Sequence, residues 1–294
     1  MGRPVAVITG AARGIGLETA RQLSATHRVA LLDRDAAGAE AAAAQIGGDA
    51  IHAGCDITDA DSVARAVADV VERCGGIDVA ISNAGIATAG ALRHLDPDVL
   101  ALQLDVNLVG NWRFVHACLP HLIERRGYVL GVASAAAIVP PVGLGNYAAS
   151  KAGFEQLLNV LRIEVAHLGV DVGIAFFSFI DTDMVRGAEA RHTAFAEVRR
   201  NARGPAGRTL PVSVAGRTIA DAVAGRRRTV VAPGIVRVAS WLRGLIGPLV
   251  DRESRGNAPT IDRATAEMVA EHGPVDAALG PRDSAARSAA SAPR

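Results

Sequence analysis

Thr9-Gly10-Ala11-Ala12-Arg13-Gly14-Ile15-Gly16 decides the fold of this chain. An apolar run over residues 5–9 leads into it, and an amphipathic stretch over residues 16–24 leaves it. Glycines at a strand-to-helix turn let the backbone approach a pyrophosphate closely. The helix that follows offers free N–H groups and the positive end of its dipole. A second apolar run, residues 29–33, ends at Asp33. A carboxylate at that strand end accepts hydrogen bonds from ribose hydroxyls and repels a 2′-phosphate. Gly10, Gly14, Ile15, Gly16 and Asp33 are therefore candidate dinucleotide contacts. Arg13 and Arg34 weigh the other way, because either could meet a 2′-phosphate, although Arg13 also reads as an ordinary solvated side chain. The position of Asp33 favours NAD, with NADP as the alternative.

Outward from that turn the same alternation continues. Short apolar runs at residues 50–55, 79–82, 128–133 and 170–177 read as buried strands. Between them, amphipathic stretches at 36–46, 61–74, 98–124 and 147–167 read as helices. Strands separated by helical patterns imply a parallel sheet covered on both faces. A further helix at 213–224 and strand at 229–232 bring the expected sheet to about seven strands. The expected class is a doubly wound α/β fold of Rossmann type. It forms a single domain over residues 1–275, with a lid at 184–210, a helical extension at 234–275 and a disordered tail at 276–294.

Lys151 is the only lysine among 31 basic residues, and it lies four residues after Tyr147, one of two tyrosines. Residues i and i+4 share a helix face. A phenol near a fixed cation gives up its proton closer to neutrality than its ordinary pKa of about 10. The pair is thus a candidate acid/base device; its bland counterpart is two surface side chains at chance spacing.

Composition narrows the remaining classes. Half the residues are hydrophobic, enough for a sizeable core, and only 3% are aromatic, so that core and any pocket should be aliphatic. A net charge of +1 gives no general affinity for nucleic acid or an anionic membrane. Cys55, Cys74 and Cys118 form neither a disulfide framework nor a metal cluster, and His94, His116, His121 and His167 lack metal-ligand spacing, so no metal site is expected. The chain enters its apolar core almost at once, so no secretion signal is expected and a reducing cytoplasm is the simplest setting. No apolar run is long enough to span a bilayer.

The glycine turn together with Tyr147-Ala148-Ala149-Ser150-Lys151 resembles the short-chain dehydrogenase/reductase family over roughly residues 4–235. The resemblance implies an oxidoreductase that moves hydride between a nicotinamide cofactor and a secondary alcohol or ketone. It implies adenine contacts at Asp56-Ile57 and a cofactor turn at Asn83-Ala84-Gly85. A catalytic set of Asn107, Ser134, Tyr147 and Lys151 follows, with Tyr147 and Lys151 also on the cofactor and carboxamide contacts at Ile180 and Thr182. Tyr147 would be the proton donor or acceptor, Lys151 would lower its pKa, and Ser134 would hydrogen-bond the substrate oxygen. Asn107 would hold a water against Lys151, with Asn111 as a lesser alternative. One departure stands out: Phe177-Ser178 replaces the Pro-Gly usual after the sixth strand, which puts nicotinamide placement in question and would let Phe177 narrow the substrate pocket.

Substrate contacts should come from residues 86–91, 135–144 and 184–208. Val139, Val142, Leu144 and Met184 predict an aliphatic lining and an apolar substrate. The arginines at 186, 191, 199, 200, 203 and 208 suggest instead an acidic carrier, which would make the protein an NADPH-dependent acyl-carrier ketoreductase. A non-catalytic dinucleotide sensor is the rival from outside the enzymes. Helices 98–124 and 147–167 carry broad apolar faces, and the family pairs such helices into dimers or tetramers. Trp241, Leu242, Leu245, Ile246, Leu249 and Val250 fall at helical spacing. Core or subunit packing is their first reading, a lip over the substrate second and membrane contact third.

Overall fold

The computed structural model describes residues 2–191, 193–202 and 204–273. The tail expected at 276–294 lies outside the described residues. Seven strands form one sheet: β1 (Val5–Thr9), β2 (Arg28–Asp33), β3 (Ile51–Gly54), β4 (Val79–Ser82), β5 (Tyr128–Val132), β6 (Asp171–Phe177) and β7 (Thr229–Ala232). Their order is β3-β2-β1-β4-β5-β6-β7, and each neighbouring pair is parallel. Val5, Ala6, Val7 and Ile8 are all buried because a central parallel strand is covered on both faces.

The helices of the first half are α1 (Gly14–Leu23), α2 (Ala36–Ile46), α3 (Ala60–Cys74), α4 (Pro97–Leu104), α5 (Asn111–Arg125) and α6 (Gly145–Glu164). Those of the second are α7 (Asp183–Arg191), α8 (Thr193–Asn201), α9 (Gly204–Gly207), α10 (Val212–Ala224), α11 (Ile235–Arg255) and α12 (Ala258–His272). Two core layers follow from the alternation along β1. Val5 and Val7 pack in one layer with Val67 of α3, Phe114 and Leu122 of α5, and Phe154 and Leu158 of α6. Ala6 and Ile8 pack in the other with Ala20 and Leu23 of α1, Ala42 of α2 and Ile219 of α10. The chain leaves β1 towards one face, and strand order reverses between β1 and β4. A crevice therefore opens at the carboxyl ends of these strands, where open α/β sheets bind ligands.

The stretch expected as one helix over 98–124 is helical throughout, with a π turn in its middle. α4 ends at Leu104, a π turn spans Asp105–Gly110, and α5 begins at Asn111. The wider turn frees carbonyls, and the Asn111 amide takes them: Nδ2 donates to Val106 O (3.1 Å) and Asn107 O (3.2 Å). It also donates to Ala84 O (2.9 Å), which ties the turn to the end of β4. Single π turns of this kind concentrate at functional sites.

The segment expected as a lid is helical, comprising α7, α8 and α9. Phe195 and Val198 of α8 pack in one small cluster with Ile261 and Met268 of α12, joined by Ala89 and Leu144. The described side chains of the stripe on α11 lie outside the core. Trp241 is 76% and Leu245 75% exposed, and Leu242 is also on the surface. Val236, Ala239 and Val250 of the same helix instead line a cavity beneath it, as a lip over a substrate site would. No helix among the described residues is long and apolar enough to cross a membrane.

Candidate active site

A groove of about 390 Å³ runs along the carboxyl ends of β1, β2 and β4. Gly10, Arg13, Gly14, Ile15, Asp33, Arg34, Asp56, Ile57, Asn83, Ala84, Gly85, Tyr147, Lys151, Ile180 and Thr182 all line it. Gly16 does not face the groove; it makes the turn possible. A Cβ there would meet Gly10 O at 2.2 Å. Gly10 itself lies at φ +64°, and a Cβ on it would meet Ala84 Cα at 3.0 Å. Only glycine lets β1, α1 and the β4 turn come this close. Gly16→Ala is expected to abolish dinucleotide binding and lower the melting temperature, measured by cofactor fluorescence and thermal denaturation. Unchanged binding would contradict this reading of the turn.

Hydrogen bonds fix the groove's other walls. Thr9 Oγ1 accepts from Asn83 N (3.0 Å) and Ala84 N (3.2 Å), while Asn83 Nδ2 donates to Thr9 O (2.9 Å) and Gly10 O (3.2 Å). Asp33 is held by both oxygens: Ala12 N donates to Oδ2 and Asp35 N to Oδ1, each at 3.0 Å. The carboxylate thus arrives at the groove already oriented. Arg13 and Arg34 are exposed on the rim. Asp56 Oδ1 accepts from the backbone and hydroxyl of Thr58 (2.9 and 2.7 Å). The free N–H groups at the start of α1 are uncapped by any side chain. Glycines that a side chain would block, an uncapped helix start and an oriented carboxylate fit a bound dinucleotide.

Beside the groove lies a second cavity of about 400 Å³. Val139, Val142, Leu144 and Met184 line it as expected, joined by Ile138, Phe179 and Phe195. Ala87, Tyr147, Ser178, Met184, Val185 and Ala188 line both spaces, so the two meet at Tyr147. Ser134 opens onto the apolar cavity, and its Oγ accepts from Ala136 N (3.1 Å).

The acid/base pair differs from its simplest picture. Burial pushes the Tyr147 phenol above its ordinary pKa, and a hydrogen bond with Ser134 offsets only part of that rise. The Lys151 ammonium stands 6.0 Å from the Tyr147 ring centroid and donates to Val132 O (2.9 Å). Burial lowers the Lys151 pKa to about 8. In the protein alone, desolvation therefore outweighs the help that the lysine charge was expected to give the phenol. Gly85 borders this ammonium: a Cβ there would meet Lys151 Nζ at 3.4 Å and Asn107 Oδ1 at 3.0 Å.

Asn107 sits in the π turn, fully buried. Among the described residues its side chain makes no direct hydrogen bond to Lys151. Oδ1 accepts from Ile86 N (2.9 Å), and Nδ2 donates to Ile86 O (2.9 Å) and Ser150 Oγ (3.0 Å). It pins the loop after β4 to α6. The buried Gln103 of α4 holds the same loop one turn earlier, accepting from Thr88 N (3.0 Å) and donating to Ile86 O (2.6 Å). Thr9, Gln103, Asn111 and the Val132 carbonyl are supports the sequence did not single out for these roles, since each holds a group that only the fold brings beside it.

Phe177-Ser178 is absorbed without a break. β6 runs through Phe177, which is buried in the layer under α1 and α10 and borders the dinucleotide groove. It does not narrow the substrate cavity; Phe179 lines that instead. Ser178 N donates to Ala232 O (3.0 Å), and Asp181 N and Leu210 N close a short bridge to Leu210 O and Phe179 O (2.8 and 2.9 Å). Pairing with β7 and residue 210 builds the turn that proline and glycine would otherwise shape. Arg186 pairs with Asp181 and Asp183, Arg200 with Glu197, and Arg199 stacks over Phe179 at 4.0 Å. Much of the charge expected to face a carrier is therefore already committed.

A short-chain dehydrogenase family model matches residues 4–193. The chain is 34% identical over 215 residues to an uncharacterised oxidoreductase of Mycobacterium bovis, covering 71% of this chain and 87% of that protein. It is 32% identical over 202 residues to the 3-oxoacyl-[acyl-carrier-protein] reductase MabA of Mycobacterium avium, covering 66% of this chain and 76% of that one. The crystal structure of a Brucella melitensis 3-ketoacyl-(acyl-carrier-protein) reductase complexed with NADH superposes with a TM-score of 0.71 at 26% identity. It covers 78% of this chain and 96% of its own.

Proposed function

The chain belongs to the short-chain dehydrogenase family, and we propose that it moves hydride between NAD and a secondary alcohol or ketone with an apolar body. Membership makes it an oxidoreductase acting on CH–OH or keto groups. The observation that carries the finer reading is the junction at Tyr147, where a dinucleotide groove and an apolar, uncharged cavity share a wall.

Bound NAD supplies the hydride acceptor in oxidation, and its reduced form the donor in reduction. Gly10, Gly14 and the start of α1 would hold its pyrophosphate, Asp33 its ribose, and Asp56 and Ile57 its adenine. Tyr147 holds the proton exchanged with the substrate oxygen. Ser134 donates a hydrogen bond to that oxygen as charge develops on it. Lys151, charged at neutral pH, offers its remaining donors towards the groove and favours the tyrosinate needed in oxidation. Asn107 acts as a positioning residue that keeps the loop at Ile86 in place. The aliphatic walls exclude water from the reacting atoms.

Parallel titration with NADH and NADPH, read by nicotinamide fluorescence, tests the cofactor. Tighter NADH binding is expected, and Asp33→Ser is expected to bring the two affinities together. Tighter NADPH binding would mean that Arg13 or Arg34 dominates. It would favour the second reading, a carrier-linked ketoreductase, which the name of the Mycobacterium avium relative suggests. Leu157, Val160 and Ile163 stand exposed along α6 and support pairing of two copies through that helix. Three free cysteines are consistent with a reducing cytoplasm.

A further inference from the structure

The substrate cavity has polar groups away from the chemistry. Asn201 ends α8, Ser254 lies in the last turn of α11, and Asn257 precedes α12; all three line the cavity. None of the three side chains has a hydrogen-bond partner among the described residues. The elements that carry them contribute neither Ser134 nor Tyr147. Packing explains how they come together. Val198 and Ile261 pack in one cluster, where both approach Gly143, and a Cβ there would meet Ile261 Cγ2 at 2.9 Å and Val198 Cγ2 at 3.1 Å. Asn201 lies one turn after Val198 and Asn257 one turn before Ile261, so each shares a helical face with a packed neighbour.

Apart from Ser134, Tyr147 and Ser178 at the junction with the groove, the remaining wall is aliphatic and aromatic, and no Asp, Glu, Lys, Arg or His lines the cavity among the described residues. Two side-chain amides and a hydroxyl can both donate and accept. They cannot neutralise a carboxylate or phosphate, whose burial without a counter-charge is costly. Leaving the amides against a purely apolar ligand also costs, because they lose water and gain nothing.

We propose that Asn201, Ser254 and Asn257 form a second recognition point for a neutral oxygen on the substrate, remote from the reacting carbonyl. The substrate class is then a rigid apolar ketone or secondary alcohol carrying one further hydroxyl or keto group. This rests on the hydride-transfer reading above and narrows it.

Three probes share one skeleton: a decalone, the same decalone with a hydroxyl on its far ring, and the same with a carboxylate there. Each is measured with the NADH-loaded enzyme in two ways, by kcat/KM for reduction and by the shift in melting temperature on binding. The hydroxylated ketone is expected to exceed the plain one by about tenfold in kcat/KM and to give the larger shift, with the carboxylate last. Asn201→Leu and Asn257→Leu, which keep the volume, are expected to bring the ratio of hydroxylated to plain ketone close to one, mainly through KM. Equal kcat/KM and equal shifts in the wild type, or a preference for the carboxylate, would overturn the proposal. So would variants that lower both ketones equally. If no probe is reduced, the hydride-transfer reading has failed, and the melting shifts alone still decide whether the polar group is recognised.

Discussion

Tyr147→Phe is expected to lower turnover about a thousandfold in both directions, the scale of losing a positioned general acid or base. The dissociation constant for NADH should change by about twofold or less. The reason is positional. Tyr147 lies on the wall common to the dinucleotide groove and the apolar cavity, and its hydroxyl shares a hydrogen bond with Ser134. Removing that oxygen leaves Ser134 able to polarise a carbonyl, with no side chain left to give or take the proton. The ring remains to fill the same space, so the groove should keep its shape. Ser134→Ala is expected to cost less, about a hundredfold, because it removes one donor and leaves the proton carrier in place. Single-turnover absorbance with saturating cofactor separates these effects from binding. A Tyr147→Phe variant with near-normal turnover would remove the residue from the chemistry.

Lys151→Met is expected to abolish turnover and at the same time stabilise the protein without cofactor. Burial lowers the lysine's pKa from 10.5 to about 8. The sign follows from linkage. Between these values the unfolded chain binds the proton that the folded one has lost, so stability rises with pH across that window. Below about pH 8 both states are charged, and the folded state carries the full cost of the buried ammonium, about 3 kcal/mol. Methionine removes that cost but leaves Val132 O without its lysine donor, which returns about 1–2 kcal/mol. A higher melting temperature at pH 7, with the gain shrinking towards pH 10, is the expected result. A lower one would mean that the ammonium is a net structural support. The same ionisation shapes activity: ketone reduction, which uses a protonated Tyr147 and a charged Lys151, should fall as pH rises through about 8. A reduction rate flat from pH 6 to about 9 would contradict the assignment.

The sheet was readable because its strands are buried on both faces and therefore appear as unbroken apolar runs; β1, β4 and β7 have the bounds expected of them. The glycine turn was readable because chemistry leaves no choice of residue there. The π turn at residues 105–110 was hidden because its cause is tertiary, an Asn111 amide that reaches Ala84 O at the end of another strand. Asn107 has an ordinary helical neighbourhood in sequence, and only the fold brings Ile86 beside it. Spacing put Tyr147 and Lys151 on one face, yet it could not say that the ammonium would turn to Val132 O. The periodicity of 241–250 specified a helix without specifying what covers it, and Trp241 and Leu245 proved to lie outside the core. Asn201, Ser254 and Asn257 fall in no motif at all. They matter only because α8 and α12 pack together and α11 closes over the same cavity.

The most direct test of the account is steady-state oxidation of apolar bicyclic secondary alcohols by the wild-type protein with NAD, followed by nicotinamide absorbance and by quantifying the ketone. Ketone and NADH formed one for one, with the activity lost on Tyr147→Phe, is the expected result. Tight binding of NADH with no turnover of any such alcohol or ketone would contradict it and would leave a dinucleotide-binding protein without this chemistry.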